Sequence, residues 1–97
     1  MIKVDKILEV KPFYIICEFN TGEIKKFTLG EALAEKEENR FVKKINNAEV
    51  FTQVKIGEFG QLYWDGMAEM KDENGNLFVC EYDMSPEFIY HHSSTIN

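Results

Sequence analysis

The sequence predicts a small α+β domain, mainly an antiparallel β-meander of hairpins with two or three short helices packed on it. Apolar and polar residues alternate with a period of two over much of the chain, and turn-forming pairs separate these runs. The 97 residues fit a single domain covering residues 1–97, and a 44% hydrophobic content can supply its core. We expect the polar tail, residues 91–97, to fray.

The first part of the chain predicts three strands. Apolar and charged residues alternate over residues 2–10, and Pro12, which lacks an N–H, ends that ladder. Residues 13–19 alternate again, and their second face is only partly polar. Residues 20–22, Asn-Thr-Gly, tolerate positive φ and predict a hairpin turn before a third strand at residues 23–27.

Two short helices are predicted next. Thr28 and Glu31 have the spacing of a capping box, in which hydroxyl and carboxylate each accept from an unpaired N–H at the helix start. A second helical turn is predicted over residues 40–45, and Asn46-Asn47 is predicted to end it. Both are too short to be stable alone in water, so they must dock on the sheet.

The second half predicts further strands at residues 50–56, 61–64, 67–71 and 77–82. The predicted turns between them are residues 57–60 and the pairs Asp65-Gly66 and Asn74-Gly75. Ser85-Pro86-Glu87 combines an N-cap, a first-turn proline and a first-turn acid, which predicts a short helix through Tyr90.

The N-terminus and the cysteines indicate a compartment. No apolar run approaches the ~18 residues needed to cross a bilayer, and the first residues alternate apolar with charged instead of forming a signal-peptide core. We therefore expect a cytoplasmic protein without a membrane partner. Cys17 and Cys80 lie in apolar alternating runs and are predicted to be reduced core thiols.

Charge is distributed unevenly. Residues 1–48 hold nine Lys/Arg and eight Asp/Glu, a net of +1, whereas residues 49–97 hold nine Asp/Glu against Lys55 and Lys71, a net of −7. Nucleic-acid binding draws on a basic patch that neutralises phosphates. The C-terminal half is the opposite, so direct nucleic-acid binding is not expected.

No catalytic or metal-binding pattern is present in the sequence. The two histidines, His91 and His92, are neighbours near the terminus and would make a poor chelate. Nothing basic adjoins Cys17 or Cys80 to activate a thiolate. The sequence therefore predicts no enzyme activity, no metal and no cofactor.

The acidic C-terminal half is the feature that indicates a partner. Seven carboxylates lie between Asp65 and Glu87 with only Lys71 opposing them, interleaved with aromatic and methionine residues. Such a composition suits a protein interface in which charge sets specificity, although an ordinary core with an acidic outer face is the simpler explanation. The candidate partner-binding residues are Trp64, Asp65, Glu69, Asp72, Glu73, Glu81 and Asp83.

The order of motifs resembles a bacterial family of short proteins, domain of unknown function 2442. Its opening meander is matched by residues 4–10, 13–19, 20–23 and 27–29 and its Phe-x-x-Val-x-Ile segment by residues 51–56. Its central run is matched by Gly60, Leu62, Trp64, Gly66 and Glu69, and its closing Pro-Glu motif by residues 85–90. The resemblance implies an α+β fold with no established activity, encoded beside a second small protein as in toxin–antitoxin pairs.

These observations favour a non-catalytic interaction module, antitoxin-like in role, that binds a basic partner protein. Two other functions stay open at this stage. One is a small-molecule-binding or weakly catalytic domain, which would need a pocket of converging polar groups. The other is a homodimer formed through an exposed sheet edge or an aromatic face.

Overall fold

The structure is a computed structural model that describes residues 1–32, 45 and 47–97, without the side chains of residues 31, 32, 67–70 and 78–81. Over these residues it confirms the predicted α+β class: antiparallel strands with short helices. The strands are β1 Val4–Lys11, β2 Tyr14–Phe19, β3 Ile24–Thr28, β4 Lys55–Ile56, β5 Leu62–Lys71, β6 Leu77–Met84 and β7 Ser93–Thr95. The helices are α1 Leu29–Ala32, α2 Ala48–Phe51 and α3 Pro86–His91.

The strands form two antiparallel sheets. One has the order β1-β2-β3-β7 and the other the order β4-β5-β6. The predicted meander is confirmed: β1 and β2 pair from Lys11 and Tyr14 outward around the turn at Pro12. The turn between β2 and β3 contains Gly22 at a φ of 90°, a left-handed conformation that favours glycine.

The expectation that residues 91–97 fray is wrong, because β7 joins the first sheet. Ser93 pairs with Phe27 and Thr95 with Lys25 on β3. The Asn97 side chain then accepts from the Ile24 N–H at 3.0 Å and donates to the carbonyl of residue 22 at 3.1 Å. Polar composition predicted a loose tail, but the open edge of β3 supplies backbone partners that composition does not reveal.

The predicted strand at residues 50–56 is also largely wrong. Asn47, which was predicted to end the preceding helical turn, is the N-cap of α2: its side-chain oxygen accepts from the backbone N–H groups of Glu49 and Val50 at 3.0 and 3.3 Å. Only Lys55–Ile56 is extended. Of the predicted helical turn at residues 40–45, the described part is Ile45, which is helical and buried; the rest lies outside the described residues.

Other local predictions agree with the structure. Helix α1 begins at Leu29, directly after Thr28, while the capping role of Glu31 lies outside the described side chains. Ser85 caps α3 by accepting from the Phe88 N–H at 3.1 Å, with Pro86 as the first helical residue.

The Asp65-Gly66 pair is a bulge instead of the predicted hairpin turn. β5 runs without interruption through it, and its pairing with β6 shifts between Trp64 opposite Tyr82 and Ala68 opposite Cys80. Four steps on β5 therefore match two steps on β6, so the extra residues lie on β5. Gly66 has a φ of 69°, which lets the strand bulge instead of reversing. The chain does reverse at the predicted Asn74-Gly75 pair, but through a longer loop than the predicted two-residue turn: the Gly75 N–H donates to the Asp72 carbonyl at 3.1 Å, and Gly75 has a φ of 80°.

Both sheets contribute to one hydrophobic core. Its buried members are Val4, Ile15, Cys17, Phe19, Phe27, Leu29, Ile45, Phe51, Val54, Leu62, Trp64, Met84 and Ile89. On β2 and β5 these residues alternate with more exposed ones, as the period-two pattern predicts. No helix among the described residues combines the length and the apolar character needed to cross a membrane.

The sheets also meet through the backbone, where the turn between β4 and β5 touches the N-terminal segment. The Val4 N–H donates to the Gly60 carbonyl at 3.0 Å. Gly60 has a φ of 76°, and a Cβ there would lie 2.5 Å from the Lys3 Cβ and 2.9 Å from its Cα. Gly60 is thus required both for its conformation and for this close approach.

We predict that Gly60→Ala lowers the free energy of unfolding by about 2 kcal/mol or more, because strain at positive φ and a clash with the Lys3 backbone combine. Gly75→Ala is the matched control: its φ is 80°, but an added Cβ meets nothing within 4 Å. Urea unfolding of both variants measures the difference, and equal losses would show that the contact between turn and N-terminus contributes nothing.

Candidate functional site

Trp64, predicted as a partner-binding residue, is instead a core residue. It is 1% exposed, and its indole N–H donates to the Phe51 carbonyl at 3.0 Å. Its ring lies 6.1 Å from the Phe51 ring and stacks 6.2 Å from the Tyr82 ring. The prediction is wrong because Trp64 lies on the inward face of β5 with Leu62, so a partner cannot reach it without unfolding the core.

Asp65 is exposed but already has a counter-ion. The Lys55 ammonium lies 2.6 Å from its carboxylate, and both side chains are more than half exposed. Hydrogen bonding to Asp65 and its negative charge raise the pKa of Lys55. This pair links β4 to β5 and leaves Asp65 with less uncompensated charge than its position in the sequence predicts.

Asp83 lies on the same outer face of the second sheet. The register sets Lys55, Tyr63 and Asp83 side by side across β4, β5 and β6. Asp83 is exposed and Tyr63 is partly exposed, whereas the alternate residues of β5 and β6, Leu62 and Met84, are buried. At this end of the sheet, the described inner side chains are therefore buried and the described outer ones are exposed or partly exposed.

Asp72 and Glu73 lie at the loop that joins β5 to β6, and both are exposed. One oxygen of Asp72 accepts from the N–H groups of Asn74 and Asn76, each at 2.9 Å. This bonding pattern makes Asp72 the residue that shapes the turn. The second carboxylate oxygen of Asp72 and the Glu73 carboxylate belong to exposed residues and can accept hydrogen bonds from a partner.

Glu69 and Glu81 are strand residues. Glu69 lies on β5 opposite Val79, and Glu81 lies on β6 two residues before Asp83. Their side chains are outside the described set.

We call residues 62–84 the acidic hairpin. Its described exposed carboxylates are Asp65 and Asp83 near one end and Asp72 and Glu73 at the loop. Leu77 and Asp83 are six residue steps apart on β6, which corresponds to roughly 20 Å of extended strand. The predicted charges thus lie along an elongated surface and do not converge on one point, a geometry suited to a partner that runs along the hairpin.

A second polar cluster, which the sequence did not indicate, joins the turn between β2 and β3 to the C-terminal residues. The Tyr90 hydroxyl and the Thr21 hydroxyl donate to the same oxygen of Glu23, and Thr95 donates to the other. The ammonium of Lys25, which is 8% exposed, lies 3.8 Å from the Tyr90 ring centroid. Glu23 and Tyr90 are 67 residues apart, and no local pattern in the sequence connects them.

Each partner in this cluster changes the other's ionisation. The hydrogen bond from Tyr90 lowers the pKa of Glu23, and the same bond raises the pKa of Tyr90. These contacts join the β2–β3 turn to α3 and β7. The role of the cluster is therefore to hold these elements together.

The described residues contain no arrangement typical of catalysis or metal binding. Cys17 is a free thiol that is fully buried, and burial raises its pKa to about 12. His91 and His92 are exposed at the end of α3, with the His92 ring 4.4 Å from Phe88. Within the described part of the chain, no group of three or more His, Cys, Asp or Glu side chains could hold a metal ion.

Comparison with protein-family models, with curated proteins and with solved structures finds no match to this chain. The resemblance to domain of unknown function 2442 therefore stays a prediction.

We predict that Tyr90→Phe destabilises the fold at neutral pH and that the loss shrinks in acid. The depressed pKa of Glu23 means that its contribution is present above its unfolded pKa of about 4.3 and is lost as pH falls through the folded value. The raised pKa of Tyr90 sets the upper limit, since that contribution is present below about 10 and is lost as pH rises through the folded value.

Urea midpoints of wild type and Tyr90→Phe at pH 7 and pH 3 measure this effect. Tyr63→Phe, which removes a hydroxyl from the outer face of the second sheet, is the control. A Tyr90→Phe deficit of the same size at both pH values would contradict the proposed link to Glu23.

We predict that Cys17 resists thiol reagents in the folded protein, because the thiolate is the reactive form and burial suppresses it. In a Cys80→Ser background, Ellman's reagent should label the protein slowly under native conditions and react with one equivalent in denaturant. Rapid native labelling would contradict the burial of Cys17.

Proposed function

We propose that this chain is a non-catalytic interaction module that binds a basic partner protein through the acidic hairpin. The observation that carries the proposal is the set of exposed carboxylates at Asp65, Asp72, Glu73 and Asp83, on a half of the chain whose net charge is −7. Only Lys55 and Lys71 oppose them there. Such a surface attracts a basic partner during encounter and disfavours acidic competitors.

The contacts that the hairpin's carboxylates make within the chain leave the acidic surface available to a partner. The Asp65 carboxylate is paired with Lys55, and one Asp72 oxygen is used within the turn. Glu73 and Asp83 are exposed on the loop and on the outer face. We therefore propose that Glu73 and Asp83 contribute most, with Asp72 next and Asp65 least.

An antitoxin-like role follows if the family resemblance holds, because the partner would then be the second small protein encoded beside this one. Neutralisation would work by covering a basic surface that the partner needs for its own activity. Affinity purification of the tagged chain from its own cells, with mass spectrometry and sizing of the eluate, identifies the partner. A stoichiometric basic protein released by high salt is the expected result, and a clean monomer would count against the proposal.

We predict that the triple variant Asp72→Asn, Glu73→Gln and Asp83→Asn binds that partner at least tenfold more weakly at low salt. It should also show a flatter dependence of affinity on salt, since fewer charges remain to be screened. Asn keeps the side-chain oxygen with which residue 72 shapes the turn. Isothermal titration at several salt concentrations measures both effects.

The matched control neutralises three exposed carboxylates elsewhere: Asp5→Asn, Glu49→Gln and Glu58→Gln. It changes the net charge equally but leaves the acidic hairpin intact, so its affinity should stay within about twofold of wild type. Equal losses in the two triple variants would reduce the effect to net charge and would refute the hairpin as the binding surface.

A further inference from the structure

The strand edges of the two sheets differ in how well they are protected. Among the described strands, β1, β7, β4 and β6 lie at sheet edges. β1 is interrupted by two irregularities in its pairing, and its Val4 N–H is taken by the Gly60 carbonyl. β7 has three residues and β4 has two. Short strands, bulges and covering turns are the usual means by which proteins prevent further strand pairing.

Within the part of the chain that the structure describes, β6 has none of these protections. It runs for eight residues, from Leu77 to Met84, and its one pairing partner among the described strands is β5. The bulge in this hairpin lies on β5, so β6 itself is regular. Its first residue, Leu77, is 67% exposed. A long and regular edge of this kind, unpaired on one side among the described strands, is a template for one more strand.

The ladder shows which backbone groups of β6 face outward. At the loop, the Asp72 N–H donates to the Asn76 carbonyl at 3.0 Å, so these two residues form a hydrogen-bonded pair. Pairs alternate along an antiparallel ladder, and the next one, Lys71 with Leu77, is therefore not hydrogen-bonded. The backbone N–H and C=O groups that point away from β5 are those of Leu77, Val79, Glu81 and Asp83.

The pairing of β4 with β5, at the opposite end of the sheet, independently predicts the same outward-facing residues on β6. The Gly57 N–H donates to the Gln61 carbonyl at 2.8 Å, which makes Lys55 and Tyr63 a hydrogen-bonded pair two positions along. Tyr63 thus directs its backbone groups to β4, and its neighbour Trp64 directs them to β6. Residue 82, opposite Trp64, bonds to β5, and Asp83 faces the open edge.

Charge decides what can occupy this edge. Asp83 is exposed on β6, Glu81 is on the same strand, and Asp72 and Glu73 are exposed where the hairpin turns. A second copy's β6 would bring the same carboxylates alongside, and like charges on neighbouring strands are destabilising. A strand with lysine or arginine at alternate positions places opposite charges there instead.

We infer that β6 binds its partner by strand addition: an extended basic segment pairs with the backbone groups of Leu77, Val79, Glu81 and Asp83. This rests on the proposed function and gives it a binding mode and a partner class. Backbone hydrogen bonds supply affinity independent of sequence, and the carboxylates select basic side chains.

The test uses a synthetic peptide of about ten residues in which Lys and Thr alternate, titrated into the full chain. Amide hydrogen exchange is followed by NMR. In the free protein, the amides of residues 82 and 84 should be protected, and those of residues 77, 79, 81 and 83 should exchange fast. The peptide should slow the second set selectively, because those N–H groups acquire acceptors.

A pair of variants separates the contribution of the backbone hydrogen bond to peptide affinity from the contribution of the carboxylate charge. Asp83→Ala and Asp83→Pro both remove the carboxylate, but only proline removes the outward N–H, and an edge position tolerates it. The peptide should bind Asp83→Pro about tenfold more weakly than Asp83→Ala, which corresponds to one lost hydrogen bond. Leu77→Pro against Leu77→Ala repeats the comparison at the first residue of the strand if Asp83→Pro does not fold.

The other results overturn the inference in distinguishable ways. Binding without selective protection, with equal affinities of the proline and alanine variants, would refute strand addition and leave the basic-partner proposal in place. Protection of the outward amides in the free protein that rises with concentration would assign the edge to a second copy. Failure to bind the peptide would also refute strand addition, and the proposed function would fail with it only if no basic partner is captured from cells.

Discussion

The packing of the buried Trp64 side chain is the interaction on which most of the structure depends. Its indole joins three parts of the chain: it belongs to β5, stacks on Tyr82 of β6 and donates its N–H to the backbone of α2. A buried indole is stable only when that N–H has an acceptor. The end of α2 supplies the Phe51 carbonyl, and the Phe51 ring continues the aromatic contacts to Phe13, at the turn between β1 and β2. One side chain thereby fixes how the second sheet, a helix and the first hairpin fit together.

The two termini are held at a shared place, the turn between β2 and β3. Asn20 accepts from the Lys3 N–H and donates to the Met1 carbonyl. Asn97 bonds to the backbone on the other side of the same turn, and Glu23 joins that turn to Tyr90. Side-chain amides can donate and accept at once, so each asparagine satisfies two backbone groups of a neighbouring segment. The first sheet gains its fourth strand from this arrangement.

The acidic residues divide according to what the fold requires of them. Glu23 and Asp72 bond to groups of their own molecule, and Asp65 is paired with Lys55. Glu73 and Asp83 lie exposed on the hairpin, beside the longest regular edge among the described strands. Carboxylates that look alike in the sequence therefore differ in whether they hold the chain together or remain available to a partner.

The sequence by itself determined the α+β class, the first three strands and the helix after Ser85, because period-two alternation, Asn-Gly-type turns and N-caps act over a few residues. It also located the acidic half. Tertiary structure decided the rest. Asp65-Gly66 has turn chemistry but bulges, because β6 continues to pair on both sides of it. Residues 93–95 are polar but form a strand, because β3 has an open edge. Trp64 was predicted to bind a partner but is buried, because the side of β5 that faces the core depends on packing between distant segments, which no local pattern encodes.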